Sequence, residues 1–231
     1  MPAAAATGGS PRYRGIAMTA TMIVHGTALS GHTHRVENFL TMLDLPYRLI
    51  DTPAARRRTP EFLALNPLAQ VPVLQDGDVT LADSNAILVY LARRYAAGGT
   101  WLPDEPTDAA RVQRWLSIAA GELKFGPASA RAILVWNLPG SLADAHALAA
   151  RLLRFMDQHL ATRRFLAADH ATIADISCYP YIARAPEGEV SLDEHTHVRD
   201  WLARVEALPR FKPMPVAPVP LAPAPPPPPT T

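Results

Sequence analysis

Little in this chain can be cross-linked, and little of it can act by charge alone. One cysteine, Cys178, excludes an internal disulfide framework and fits a reducing compartment, so a cytoplasmic location is expected. With no second cysteine there is no C-x-x-C pair, and dithiol redox exchange has no support. The formal net charge of +1 offers nothing to draw nucleic acid or an anionic membrane surface. No apolar run approaches the ~20 residues of a membrane-spanning helix. The segment 1–20, built largely of Ala, Gly, Ser, Pro and Arg, lacks the apolar centre of a secretory signal. It reads as a flexible extension, with Met18 and Met22 as alternative starts. His25, His32 and His34 lie close in sequence without a recognised ligand spacing, and no metal is expected.

What is present is enough apolar material for real cores, 48% of the residues against 19% charged. Residues 21–97 alternate strand and helix signals. Met22 to His25 reads as a strand, Val36, Phe39, Leu40 and Leu43 recur at helical spacing, and Pro46 to Asp51 reads as a second strand. Arg56-Arg57-Arg58 reads as a solvated loop. Gly98-Gly99 through Pro106 marks a linker over 98–106. From 107 to 212 only helix signals follow. Val112, Trp115, Leu116, Ala119 and Leu123 form one apolar stripe; Leu142, Ala145, Leu148, Leu152, Phe155 and Met156 form another. Gly126-Pro127 should interrupt the helix between them. Thr172-Ile173-Ala174-Asp175 has the form of a capping box, and Cys178 on the helix it opens reads as a buried, inert thiol. Ten of the 24 prolines lie beyond Phe211. The tail 213–231 is expected to be extended and mobile, either inert or a ligand for a proline-recognising partner.

The most informative stretch runs from Asn66 to Ile87. Val71-Pro72-Val73-Leu74 reads as a short buried strand, yet proline donates no ladder bond and belongs at a strand's start or edge. A proline here suggests a special turn, with a cis Val71–Pro72 bond as one form of it. Such a turn frees the Val71 N–H and C=O for an extended, peptide-like ligand. Asp76-Gly77 signals a tight hairpin, and Val79 to Ala82 returns as its second strand. Asp83-Ser84 then opens a helix, where unpaired N–H groups favour a carboxylate. Together these features describe a site for a small, extended, acidic peptide.

This stretch, the Thr-x-x-Asp box and the run TIADISCYPYIARAPEG resemble the cytosolic glutathione transferases, in particular the bacterial, Ser-type, theta-like members. The resemblance covers Thr21 to Phe211. It implies an α/β thioredoxin-like domain of βαβ then ββα order, followed by an all-helical domain, and usually a homodimer. It also implies glutathione as co-substrate, with no metal and a small hydrophobic electrophile as partner. The reaction would be thiolate conjugation, with peroxide reduction or dehalogenation as variants. By the resemblance Val71 and Pro72 meet the cysteinyl backbone of glutathione, and Asp83 and Ser84 hold its γ-glutamyl end. The family more often has Glu at the position of Asp83.

Strand one ends at His25, and the loop to Ser30-Gly31-His32 leads at once into a helix. A group there sits at a positive helix end. A free thiol has pKa ≈ 8.5 and is a few per cent ionised at neutrality. Lowering it by ~2 units takes about 2.7 kcal/mol of preference for the thiolate, within reach of one hydroxyl donor plus a helix terminus. Ser30 matches the serine of the Ser-type classes and would donate to the thiolate; it also reads as a plain N-cap. His32 stands where many relatives have Asn. It is either a second donor, giving the activity a pH limb near neutrality, or a solvated side chain. Arg35 lies where a close subset of the family has Lys. Arg58, or its neighbour Arg57, and Gln70 are candidates for the glycine carboxylate. The electrophile is expected in an apolar cleft between the domains, near Leu29 and the Glu122–Trp136 helix, with Arg131 either meeting an anionic co-substrate or exposed. The competing reading is a non-catalytic member of the same fold, acting as a binding or protein-interaction module.

Overall fold

The computed structural model describes residues 21–96 and 98–218; the expected extension 1–20 and the end of the tail, 219–231, lie outside them. Strand β1 (Met22–Gly26) leads into helix α1 (Gly31–Met42), which crosses over to β2 (Tyr47–Asp51). β1 and β2 are parallel, with Met22 opposite Tyr47 and Gly26 opposite Asp51. A parallel pair needs such a crossover, whereas an antiparallel pair needs only a tight turn. That turn is Gly77, at φ +58°, joining β3 (Val73–Asp76) to β4 (Val79–Ala82). β3 lies antiparallel to β1, giving the order β2-β1-β3-β4.

The expected strand start at Val71 moves two residues on. The ladder begins at Val73, paired with both His25 and Ala82, and Val71 stays outside it. The Val71–Pro72 bond is cis. A short helix, α2 (Pro60–Leu65), was not anticipated; six residues are too few to show a period. Its start is nonetheless written locally, in the Thr59 cap accepting from Phe62 N–H and in Pro60 at the first position. Helix α3 (Ser84–Tyr95) closes the first domain.

The segment 98–105 packs rather than dangles. Leu102 is buried, and Arg93 binds its carbonyl at 3.2 Å and pairs with Asp104. Helix α4 (Pro106–Ala120) then begins, one residue earlier than expected. Gly126-Pro127 does interrupt the helix: Lys124–Ala128 form a single π-helical turn before α5 (Ser129–Trp136). A Cβ on Gly126 would lie 2.9 Å from the Ala149 backbone nitrogen, so this turn lets α6 (Leu142–Leu160) approach closely. Helices α7 (Ile173–Ala183) and α8 (Thr196–Glu206) complete the domain.

Helix α7 is buried from Ile173 through Ile182 and touches α1, α3, α4 and α8. Its capping box is closed: the Asp175 carboxylate accepts from Thr172 N–H at 2.9 Å, and the Thr172 hydroxyl accepts from Ala174 N–H at 3.2 Å. Asp175 also accepts from Leu166 N–H and Trp201 Nε1–H, tying α8 to α7. Cys178 is buried on the same helix, and burial pushes its thiol up to about 12. The core runs unbroken from Val24, Phe39 and Leu88 to Trp115, Met156 and Trp201, so the two domains share it.

The tail is corrected at its start. Residues 212–217 do not hang free: Met214 and Ala217 are buried, and the backbone of the segment is bonded to α1 and to the end of α7. An extended proline-rich chain has no internal ladder, so its carbonyls and remaining N–H groups are available to side chains. Arg184, Glu187, His34 and Asn38 take them.

Candidate active site

Ser30 is the N-cap of α1, in extended conformation, with its oxygen accepting from Thr33 N–H at 3.3 Å. Capping uses an oxygen lone pair and leaves the O–H free to donate, so the two readings of Ser30 are compatible. The residue is half-buried at the positive end of a twelve-residue helix.

Two residues on, His32 Nδ1 lies 2.9 Å from Arg35 Nη1 and 3.1 Å from Ser84 Oγ. Arg35 can only donate, so Nδ1 is the acceptor and the ring proton belongs on Nε2. Burial, then the charges of Arg35 and Lys124, lowers the His32 pKa to about 3. The expected titration near neutrality is therefore corrected: His32 stays neutral across the physiological range, as a fixed Nε2–H donor.

Arg35 is 1% exposed. It donates from Nε to the Ser177 carbonyl at 2.6 Å and from Nη1 to Ser84 Oγ at 3.0 Å, and lies over the Tyr181 ring at 5.6 Å. Nη2 is buried without a partner, and among the described residues no carboxylate forms an ion pair with this guanidinium. Burial lowers its pKa, with Tyr181, Cys178 and Asp83 acting the other way. A buried cation without a counter-ion favours an anion at its open side.

Asp83 caps α3 through Oδ1, which accepts from Asn85 N–H at 2.8 Å and Ala86 N–H at 3.1 Å. It holds φ +72°, a conformation an L-residue adopts only under local constraint. Ser84 follows as the buried first residue of that helix. The structure thus brings Ser30, His32, Arg35 and Ser84 together. Gln70 and Arg58 are exposed at the outer side, and Arg57 carries a buried, unpartnered Nε. His25 faces Gln75 and His34 faces the Lys212 carbonyl, so the three histidines have different partners.

Sequence reasoning missed what the helical domain contributes. Tyr181 of α7 is buried against the start of α1: its ring meets His32 edge-on at 5.1 Å, and a Cβ on Gly31 would lie 2.7 Å from it. Burial raises its pKa, while Arg35, Arg131 and hydrogen bonding from His32 N–H and Ser30 act against the rise. Arg131 was expected in the cleft or in solvent; it is 1% exposed, donating from Nη1 to the Leu29 carbonyl at 2.9 Å and from Nε to Glu187 at 2.7 Å. The only signal for this was an arginine inside the apolar run ARAILVW. Phe125 and Trp136, by contrast, are 58% and 43% exposed. Two open grooves of about 380 Å³ each are lined wholly by helical-domain residues, one by Phe125, Ile133, Leu138 and Leu148, the other by Arg114, Glu122, Arg151 and Phe155.

A thioredoxin-like sheet with a hydroxyl at its first helix start, docked on an all-helical domain, defines the architectural class. The comparisons with known proteins narrow it. Residues 24–101 match the glutathione S-transferase N-terminal domain, and residues 139–204 the C-terminal domain. Glutathione S-transferase 3 of Zea mays is 32% identical over 216 residues, 87% of this chain and 96% of its own. The crystal structure of a glutathione S-transferase from Pseudomonas fluorescens superposes with a TM-score of 0.78 at 32% identity, covering 84% of this chain and 99% of that one. One from Xanthobacter autotrophicus gives 0.77 at 32% identity over 84% and 97%. The chain belongs to the glutathione S-transferase family and is a glutathione transferase. Among the described residues, no helix is long and apolar enough to cross a membrane.

Proposed function

We propose that the protein ionises the glutathione thiol at the start of α1 and delivers it to a small hydrophobic electrophile. The sulfur lone pair forms the new C–S bond, and the leaving group departs with its electron pair. Peroxide reduction and reductive dehalogenation are variants of the same thiolate chemistry, with a second glutathione as reductant. The observation that carries this reading is the buried Arg35, without a counter-ion among the described residues, beside Ser84 and the N-cap Ser30.

Each residue then has a task. The Ser30 hydroxyl donates to the thiolate, and the neutral His32 offers Nε2–H as a second donor. Neither forms a covalent bond to the substrate. Ser84, at the positive end of α3, and Arg35 favour the γ-glutamyl carboxylate, with Asp83 facing its ammonium. Val71, outside the β ladder, offers its backbone to the cysteinyl unit next to Pro72. Gln70 and Arg58 attract the glycine carboxylate from the exposed side. Phe125 and Trp136 supply apolar surface for the electrophile. The working unit is a cytoplasmic homodimer, the first domain of one copy against the helical domain of the other.

The test follows the ultraviolet absorbance of the bound thiolate against pH, with Ser30→Ala alongside. The bound thiol is expected to titrate well below the free value of ~8.5, and the variant to recover most of that difference. A lowered value that survives the substitution would transfer the role to His32 and the helix terminus. Failure to bind millimolar glutathione would overturn the site.

A further inference from the structure

Two buried features in the helical half have no task in the scheme above: Arg131 with its partner Glu187, and the packed start of the proline-rich tail. They are connected. Arg131 donates from Nη1 to the carbonyl of Leu29, the residue that precedes Ser30. Its Nε is held by Glu187 Oε2 at 2.7 Å. The other oxygen of the same carboxylate accepts the Ala217 N–H at 3.1 Å and lies 3.6 Å from Arg184 Nε. Arg184 in turn binds the carbonyls of Met214 and Pro215. At its other end the segment is fastened to α1, where Lys212 N–H donates to Asn38 Oδ1 at 2.9 Å and the Lys212 carbonyl lies 2.6 Å from His34 Nε2.

We propose that residues 212–217 form a clamp that sets Arg131, and through it the carbonyl of Leu29, and so positions the Ser30 hydroxyl. Arg131 is a positioning residue in this scheme, and Glu187 is the joint between it and the clamp. Two observations make the connection specific. Glu187 is the ion-pair partner of a guanidinium that is 1% exposed, so its carboxylate has little freedom to choose another place. The turn that carries Glu187 also sits tight against α5: a Cβ on Gly188 would lie 2.6 Å from the Arg131 backbone nitrogen. A displacement of Glu187 therefore reaches Arg131 directly rather than being absorbed in a gap. The Leu29 carbonyl is the last backbone acceptor before the N-cap, so its direction helps to fix where the Ser30 side chain points.

The charged and titratable groups facing the start of α1 are His32 and Arg35 from α1 itself, Asp83 at α3, Lys124 from the π turn, Arg131 from α5 and Tyr181 from α7. The clamp adds no charge that faces Ser30. Its effect is geometric, and it should be expressed through Arg131.

The inference rests on the proposed role of Ser30, and the experiment separates the two. Chains ending after Pro218 and after Phe211 are compared with the full chain, each with Arg131 intact and as Arg131→Met, with Ser30→Ala as reference. The readouts are the thiol pKa of bound glutathione and the pH profile of kcat/KM. Ending after Pro218 leaves the clamp whole and is expected to change neither. Ending after Phe211 is expected to raise the bound thiol pKa by about half a unit or more, with kcat/KM at neutral pH down roughly threefold to tenfold. In the Arg131→Met background the same truncation should add little, since the two act in series. Arg131→Lys should recover part of the loss. Should the shorter chain fail to fold, Arg184→Met unties the clamp at full length and carries the same expectation. Equal, additive effects in both backgrounds, or a loss of kcat/KM at unchanged thiol pKa, would overturn the clamp. If Ser30→Ala leaves the thiol pKa where it was, the reading of Ser30 fails instead.

Discussion

Single residues here are set by their neighbours more than by their type. A histidine two positions beyond Ser30 ordinarily titrates near 6.5. Burial and the charges around it hold His32 at about 3, and burial holds His34 at about 4 against the raising effect of its bond to the Lys212 carbonyl. Both are neutral in the folded protein and free to take a proton when unfolded. Stability thus rises with pH where the unfolded chain binds more protons, from about pH 3 to 4 up to about 6.5. The contribution is fully present above 6.5 and is lost as pH falls through that window. At pH 5 each site is expected to cost roughly 1 to 2 kcal/mol relative to pH 7. His34→Gln keeps a donor for the Lys212 carbonyl without the titration. Urea unfolding at pH 5 and 7 should show a smaller pH difference for this variant than for the parent chain. The same neutrality removes His32 from the activity profile, so no limb near neutrality should belong to it. The position of His32 was legible in the sequence, but its pKa was not, because Arg35, Ser84 and Tyr181 approach it from three different helices.

Elements whose signals are local were the readable ones. The Asp76-Gly77 hairpin, the Gly126-Pro127 interruption and the capping box of α7 all stand where their residues put them. Less readable were features decided by long-range partners. Nothing near Pro213 announces that Met214 will be buried or that Arg184 will bind its carbonyl, and α2 is too short to carry a period. The α7 box shows how a local signal becomes a tertiary one. Thr172 serves only its own helix start, whereas Asp175 joins that start to Leu166 N–H and to Trp201 of α8. Asp175 is buried, and burial raises its pKa while these three donors and the Thr172 hydroxyl lower it. Thr172→Ala should cost about 1 kcal/mol, the usual value of a cap. Asp175→Ala should cost about 3 kcal/mol or more, since it strands buried donors on two other segments. Denaturant titration of the pair checks the order. Equal costs would mean that Asp175 acts as a cap alone.

At the scale of the molecule, the proposed active site is a property of the docking of two domains. Ser30 and Ser84 come from the first domain, while Tyr181 and Arg131 come from the second. Asn85, next to Ser84, spans the boundary, donating to the Leu116 carbonyl at 3.0 Å and accepting from Ser177 Oγ at 2.6 Å. With a core continuous across both domains, unfolding should be a single cooperative step. Three of the four tryptophans, Trp115, Trp136 and Trp201, lie in the helical domain, and Trp101 packs edge-on against Phe39 of α1, so fluorescence is weighted toward the helical half while far-ultraviolet dichroism reports both. The two transitions are expected to coincide. Asn85→Leu removes both boundary bonds and leaves the buried Ser177 hydroxyl without its Asn85 partner, and should lower both midpoints together, at a cost of about 2 kcal/mol. It should also raise KM for glutathione, because α3 presents Ser84 from the adjoining position. If the dichroism change runs ahead of the fluorescence in the variant, the boundary bonds themselves hold the domains to one transition. If it runs ahead in the parent chain as well, the shared core does not make them one cooperative unit, and the site assembles from two independently folding halves.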